Sequence, residues 1–139
     1  MRTSWGSLYA AYRRFLPVVD DADLLDLGQV STPLIRSRWI GPRYGLNNLY
    51  FKMESLNPTG SYKDRFASLA VSLSSSRGAK GCIATSSGNT GAALSAFTSA
   101  VGMACAIFVN ERTPIGKLRQ MAAYGAQVYQ VARLGMELA

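Results

Sequence analysis

From Leu49 onward, short apolar runs alternate with stretches whose apolar residues recur at helical spacing, the pattern of parallel-sheet α/β domains. The strand candidates are 49–53, 81–85, 103–109 and 127–131. Between them, 62–74 puts Phe66, Leu69, Ala70 and Leu73 on one helical face, 90–101 reads as a helix dominated by small residues, and 114–124 reads as a third helix. Gly78, Gly102 and Gly125 stand where helices commonly stop. The order βαβαβαβ leaves no room for hairpins between 49 and 131. The expected architecture is an α/β three-layer sandwich with a mainly parallel sheet, incomplete at the C-terminal end, and residues 1–48 are an N-terminal extension leading into it.

Composition narrows the class. The chain has 139 residues, 48% hydrophobic and 17% charged, enough for one domain with a core and too apolar for disorder. A net charge of +7 is spread from Arg2 to Arg133 without a basic run or a nucleic-acid motif. It favours solubility, suits a small phosphorylated ligand, and gives no reason to expect nucleic acid. The uncharged segment 81–110 is long enough to suggest a membrane span, but seven Ser, Thr and Asn side chains crowd its middle and Gly88, Gly91 and Gly102 interrupt it, so no membrane is expected. The first 19 residues carry three arginines and no acid, as transit peptides do. They lack the apolar region of a secretory signal and are taken as part of a folded, cytoplasmic protein. Cys82 and Cys105 fit neither a disulfide framework nor a metal site. Histidine is absent, which removes Ser-His-Asp and Cys-His chemistry and any His-ligated metal.

Two constellations could carry chemistry. In Asn57-Pro58-Thr59-Gly60-Ser61-Tyr62-Lys63-Asp64-Arg65, Pro58 and Gly60 fix a turn, and Ser61 with Asp64 forms a capping-box pattern that sets Lys63 in the first helical turn. There the helix dipole works against an ammonium charge, so Lys63 is a candidate Schiff-base former. Taken alone, the same pattern fits a surface lysine beside an ordinary cap. The second constellation, Thr85-Ser86-Ser87-Gly88-Asn89-Thr90-Gly91, follows a predicted strand and opens a predicted helix, the place where open α/β sheets bind ligands. Helix N–H groups, hydroxyls and the room left by Gly88 and Gly91 suit a carboxylate or phosphate. A polar cap without ligand fits equally well. Neither a P-loop nor a G-x-G-x-x-G is present.

Together, in this order and one helix apart, the two constellations resemble the fold type II (tryptophan-synthase-beta-like) enzymes that use pyridoxal 5'-phosphate. Within that superfamily the wording is similar to the threonine synthases, and Tyr12 to Pro17, Thr32-Pro33-Leu34, Gly116-Lys117-Leu118 and Tyr124-Gly125-Ala126 extend the resemblance over nearly the whole chain. It implies that Lys63 is the catalytic, cofactor-holding lysine and that Asn89 bonds the cofactor's 3'-hydroxyl. It also implies that Tyr62 packs near the pyridine ring and that Ser86, Ser87, Gly88 and Thr90 hold the substrate carboxylate. The implied reaction is a lyase step, O-phosphohomoserine and water giving threonine and phosphate. The alternatives are a dehydratase or a β-replacement within the superfamily, or a truncated non-catalytic anion-binding module. The partner would be a phosphorylated amino acid, and a homodimer is left open for the longer protein. Three departures stand out. Gln29, Val30 and Ser31 replace the usual Glu-Gly before Thr-Pro-Leu, and Phe66 stands where threonine synthases place glycine. The Gly-rich phosphate loop and the pyridine-nitrogen partner are not within residues 1–139. The chain accordingly resembles the N-terminal part of a catalytic unit, expected to bind the cofactor weakly and not to turn over alone.

Overall fold

The β-branched and aliphatic runs at 81–85, 104–110 and 127–131 form the sheet, as seen in a computed structural model that describes residues 12–16, 24–29 and 31–132. In chain order the regular elements are β1 (Leu34–Arg36), α1 (Ile40–Arg43), β2 (Tyr50–Lys52), α2 (Lys63–Ser76), β3 (Gly81–Thr85), α3 (Asn89–Ala100), β4 (Ala104–Asn110), α4 (Ile115–Ala123) and β5 (Gln127–Val131). Strands β3, β4 and β5 lie side by side in that order, all parallel, with Cys82 opposite Cys105 and Phe108 opposite Tyr129. Gly78, Gly102 and Gly125 follow α2, α3 and α4 with φ of 80°, 68° and 92°, the left-handed conformation that ends a helix and that glycine adopts without strain.

The expected first strand exists but belongs elsewhere. β2 pairs antiparallel with β1, Ile35 opposite Phe51, in a separate two-stranded ribbon. Only the three later strands make the parallel sheet, so the alternation of apolar runs located β2 without revealing its partner.

One face of the sheet is covered. Cys105, Ile107 and Val109 of β4 point into a core shared with Ala67 and Val71 of α2, Ala93, Leu94 and Phe97 of α3, and Met121 of α4. The opposite face carries Ile83, Phe108 and Tyr129, with Ile83 77% exposed and the Phe108 and Tyr129 rings stacked 5.2 Å apart. The α/β class and the parallel sheet are thus as expected, and among the described residues the helical layer lies on one side.

Helix α2 is turned relative to the expected face. Its buried positions are Asp64, Ala67, Ser68, Val71 and Ser72, while Phe66 is 52% exposed. The serines are buried because their hydroxyls are satisfied. Ser68 Oγ donates to the Leu25 carbonyl and Ser72 Oγ accepts the Leu25 N–H at 2.8 Å. Gln29, fully buried, donates a hydrogen bond from Nε2 to Ser68 Oγ at 2.9 Å. The unusual Gln29 therefore anchors the segment before the ribbon onto α2. Among the described residues no helix is long and apolar enough to cross a membrane.

Candidate functional site

Lys63 opens α2, and the turn before it is held by a different bond from the one a capping box predicts. Asp64 is fully buried and accepts the Thr59 N–H at 2.7 Å and the Thr59 hydroxyl, reaching past Ser61. Ser61 Oγ instead accepts the Lys63 N–H at 3.3 Å. Gly60, at φ 86°, makes the reversal possible. The clip fixes where α2 begins, and hence where the Lys63 side chain starts.

The Lys63 amine lies 4.5 Å from the centre of the Tyr62 ring, which is itself 57% exposed. Among the described residues no carboxylate pairs with it. An ion pair lies in the same first turn of α2, where Arg65 grips Glu54 through Nε and Nη2, each 3.0 Å from a carboxylate oxygen. These bonds hold the Glu54 carboxyl down at about 2, against the opposing effect of its burial, with help from Asn57. Lys63 is thus left half-buried with its amine uncommitted to any acid among the described residues.

The second constellation leaves the sheet at the C-terminal end of β3, where Ser86 N–H continues the ladder by donating to the Phe108 carbonyl at 3.1 Å. Ser86 Oγ then accepts the N–H groups of Gly88 at 3.3 Å and Gly91 at 3.0 Å, satisfying a first-turn N–H of α3 from the loop before the helix. Its own hydroxyl proton is still available to donate. Asn89 and Thr90, the first two residues of α3, have no intrahelical acceptor for their N–H groups by helix geometry. The two glycines differ. A Cβ at Gly91 would sit 2.9 Å from the Ser86 carbonyl oxygen and 2.9 Å from Met121 Cε, so protein fills that space. A Cβ at Gly88 would meet nothing within 4 Å. Room for a ligand exists at Gly88, and Gly91 serves close packing.

A chain of hydrogen bonds ties the two constellations together. Lys117 of α4 donates from Nζ to Asn89 Oδ1 at 2.6 Å and to Gln120 Oε1 at 3.1 Å, and Gln120 Nε2 donates to the Thr59 carbonyl at 3.3 Å. The turn that carries Lys63 and the helix start that carries Asn89 are therefore anchored to the same two side chains of α4. The sequence marked Lys117 only through Gly116-Lys117-Leu118, and Gln120 had no signal in sequence. Cys82 and Cys105 remain free thiols, and burial pushes the Cys82 thiol up, with Cys105 beside it, which makes Cys82 a poor nucleophile. A surface concavity lined by Trp39, Ile40 and Tyr44 shares no residue with either constellation.

Residues 25–138 match the family described as pyridoxal-phosphate dependent enzyme. A threonine synthase of Halalkalibacterium halodurans is 38% identical over 130 residues, covering 93% of this chain and 36% of that protein. A threonine synthase of Mycobacterium leprae is 37% identical, covering 91% of this chain and 35% of that protein. The chain thus spans about a third of the length of the curated relatives it matches. Among solved structures, a pyridoxal 5'-phosphate-dependent aspartate racemase superposes with a TM-score of 0.71 at 32% identity, over 76% of this chain and 33% of that one.

Proposed function

Because the chain belongs to the pyridoxal-phosphate-dependent enzyme family, we propose that Lys63 and the Ser86 to Thr90 loop form the cofactor-attachment and substrate-carboxylate half of an amino-acid-transforming active site. The observation that carries this reading is the bond chain Thr59–Gln120–Lys117–Asn89, which binds the two constellations to one helix. The residues fit the family's cofactor, pyridoxal 5'-phosphate. Among the described residues the Lys63 amine has no acid partner, the space beside Gly88 is open, and the Asn89 and Thr90 N–H groups of α3 are available to an anion.

When bound, the cofactor supplies an electron sink for the bonds at the substrate's α-carbon. The chain's own residues do the rest. Lys63 Nζ would hold the cofactor, and its amine could also accept and return a proton, a role for which residues 1–139 offer no histidine. Asn89 would bond the cofactor ring oxygen, and Tyr62 would pack beside the ring. Ser86 donates its free hydroxyl proton to the substrate carboxylate, with Ser87, Thr90 and the backbone at Gly88 completing the cradle. For the reaction we favour the lyase step that converts O-phosphohomoserine and water into threonine and phosphate. The support is the 36–38% identity to several threonine synthases and Thr90 in the place where dehydratases usually have histidine. A racemase or synthase reaction is the competing chemistry, since an aspartate racemase and an O-ureido-L-serine synthase share the fold.

Two measurements on the full-length protein test this. Borohydride reduction followed by peptide mapping is expected to place the pyridoxyl group on Lys63; labelling of Lys52 or Lys80 instead refutes the site. Incubation with O-phosphohomoserine is expected to release phosphate and threonine in equal amounts, and Lys63→Ala is expected to lower that rate by about 10²–10⁴-fold or more. Racemisation or deamination without phosphate release would move the protein to a different reaction within the family. No cofactor uptake at all would leave a non-catalytic anion-binding module.

A further inference from the structure

Hydrogen-bond polarity at Lys117 says more about Asn89 than its position does. An ammonium group has donors only, so each amide it touches must present its oxygen. Gln120 confirms this orientation from its other end, because Nε2 donates to Thr59 O, and a carbonyl only accepts. For Asn89 the consequence is that Oδ1 is occupied at 2.6 Å and the exposed side chain keeps Nδ2 as its free polar atom. An Asn without such a neighbour can turn either end toward a ligand, whereas this one is held with Oδ1 on Lys117 and Nδ2 left to donate.

We propose that Lys117 is a positioning residue that fixes Asn89 as a hydrogen-bond donor to an acceptor oxygen on the bound cofactor. The inference rests on the reading of Lys63 and Asn89 given above. It predicts coupling: removing Lys117 should matter only while Asn89 is present to be oriented. A side chain that merely stabilised α4 would act regardless of residue 89.

The test is titration of pyridoxal phosphate into the full-length protein, followed by absorbance, for wild type, Lys117→Met, Lys117→Arg, Asn89→Ala and the Lys117→Met/Asn89→Ala double variant. Thermal unfolding of each variant is recorded alongside. Lys117→Met is expected to weaken binding by about tenfold, the loss of one well-oriented hydrogen bond to a charged group. Lys117→Arg, which keeps a donor, should recover most of the loss. The double variant should bind within about twofold of Asn89→Ala, showing that the two losses do not add. Multiplicative losses in the double variant, or wild-type affinity in Lys117→Met, overturn the inference. If Lys117→Met does not fold, Lys117→Leu, which also lacks a donor, takes its place with the same expectations. Borohydride labelling separates the two levels. Wild type that fails to label at Lys63 sinks the underlying reading, whereas normal labelling with unchanged affinity in Lys117→Met sinks only the role of Lys117.

Discussion

Glu54 shows how one side chain can organise residues far apart in the chain. It accepts from both Arg65 nitrogens, from Asn57 Nδ2 at 2.8 Å and from Thr32 Oγ1 at 3.1 Å, so the end of the ribbon, the turn before α2 and α2 itself meet on one carboxylate. Since its pKa lies at about 2 against an ordinary 4.5, its contribution to stability is fully present above pH 4.5 and is lost as pH falls through 2. With 27% of its side chain exposed, solvent screens the pair, and Glu54→Gln is expected to cost about 1 kcal/mol near neutral pH. Denaturant unfolding from pH 7 to pH 2 should show the gap between variant and wild type closing across that window. A gap that stays constant with pH would mean that ionisation of Glu54 contributes nothing. Asp64 teaches a related lesson. The sequence placed an acid three residues after Ser61, yet the bond formed is to Thr59, because the turn at Gly60 brings that residue within reach.

At the scale of the element, α3 separates packing from binding within one glycine pair. Gly91 lies where α3 presses on the Ser86 carbonyl and Met121, so Gly91→Ala must displace backbone or core and should cost about 1–3 kcal/mol. Gly88 has open space for a Cβ and an ordinary extended φ of −140°, so Gly88→Ala should leave stability nearly unchanged while weakening substrate binding at the proposed cradle. Thermal unfolding and substrate titration of the two variants check this. Equal destabilisation of both, or unchanged binding in Gly88→Ala, contradicts the division of labour. Helix α2 carries the complementary correction. Counting apolar residues chose the face of Phe66, Leu69 and Leu73, but the buried stripe is 64, 67, 68, 71 and 72, because Ser68 and Ser72 find partners in the Leu25 backbone 43 and 47 residues away.

In the whole molecule, the sheet's two faces make opposite predictions. Phe97 is fully buried in the helical core, so Phe97→Ala should cost about 3–5 kcal/mol. Ile83→Ser on the open face should change the stability of residues 1–139 by no more than about 0.5 kcal/mol, and a larger loss in denaturant unfolding would show that this face is covered. The strands β3, β4 and β5, the helices between them and the glycines that end those helices were legible in the sequence, since each depends on local periodicity and backbone conformation. The motif around Lys63 and the loop around Asn89 were legible for the same reason, as was the resemblance to a cofactor family. The tertiary structure decided the rest: the antiparallel partner of β2, the buried face of α2, the clip from Asp64 to Thr59, and the Lys117–Gln120 bridge between the two constellations. Each of these is a pairing between polar or backbone groups, several of them distant in sequence. A single chain of letters records which donors and acceptors exist, but only the fold brings a given pair within hydrogen-bonding distance.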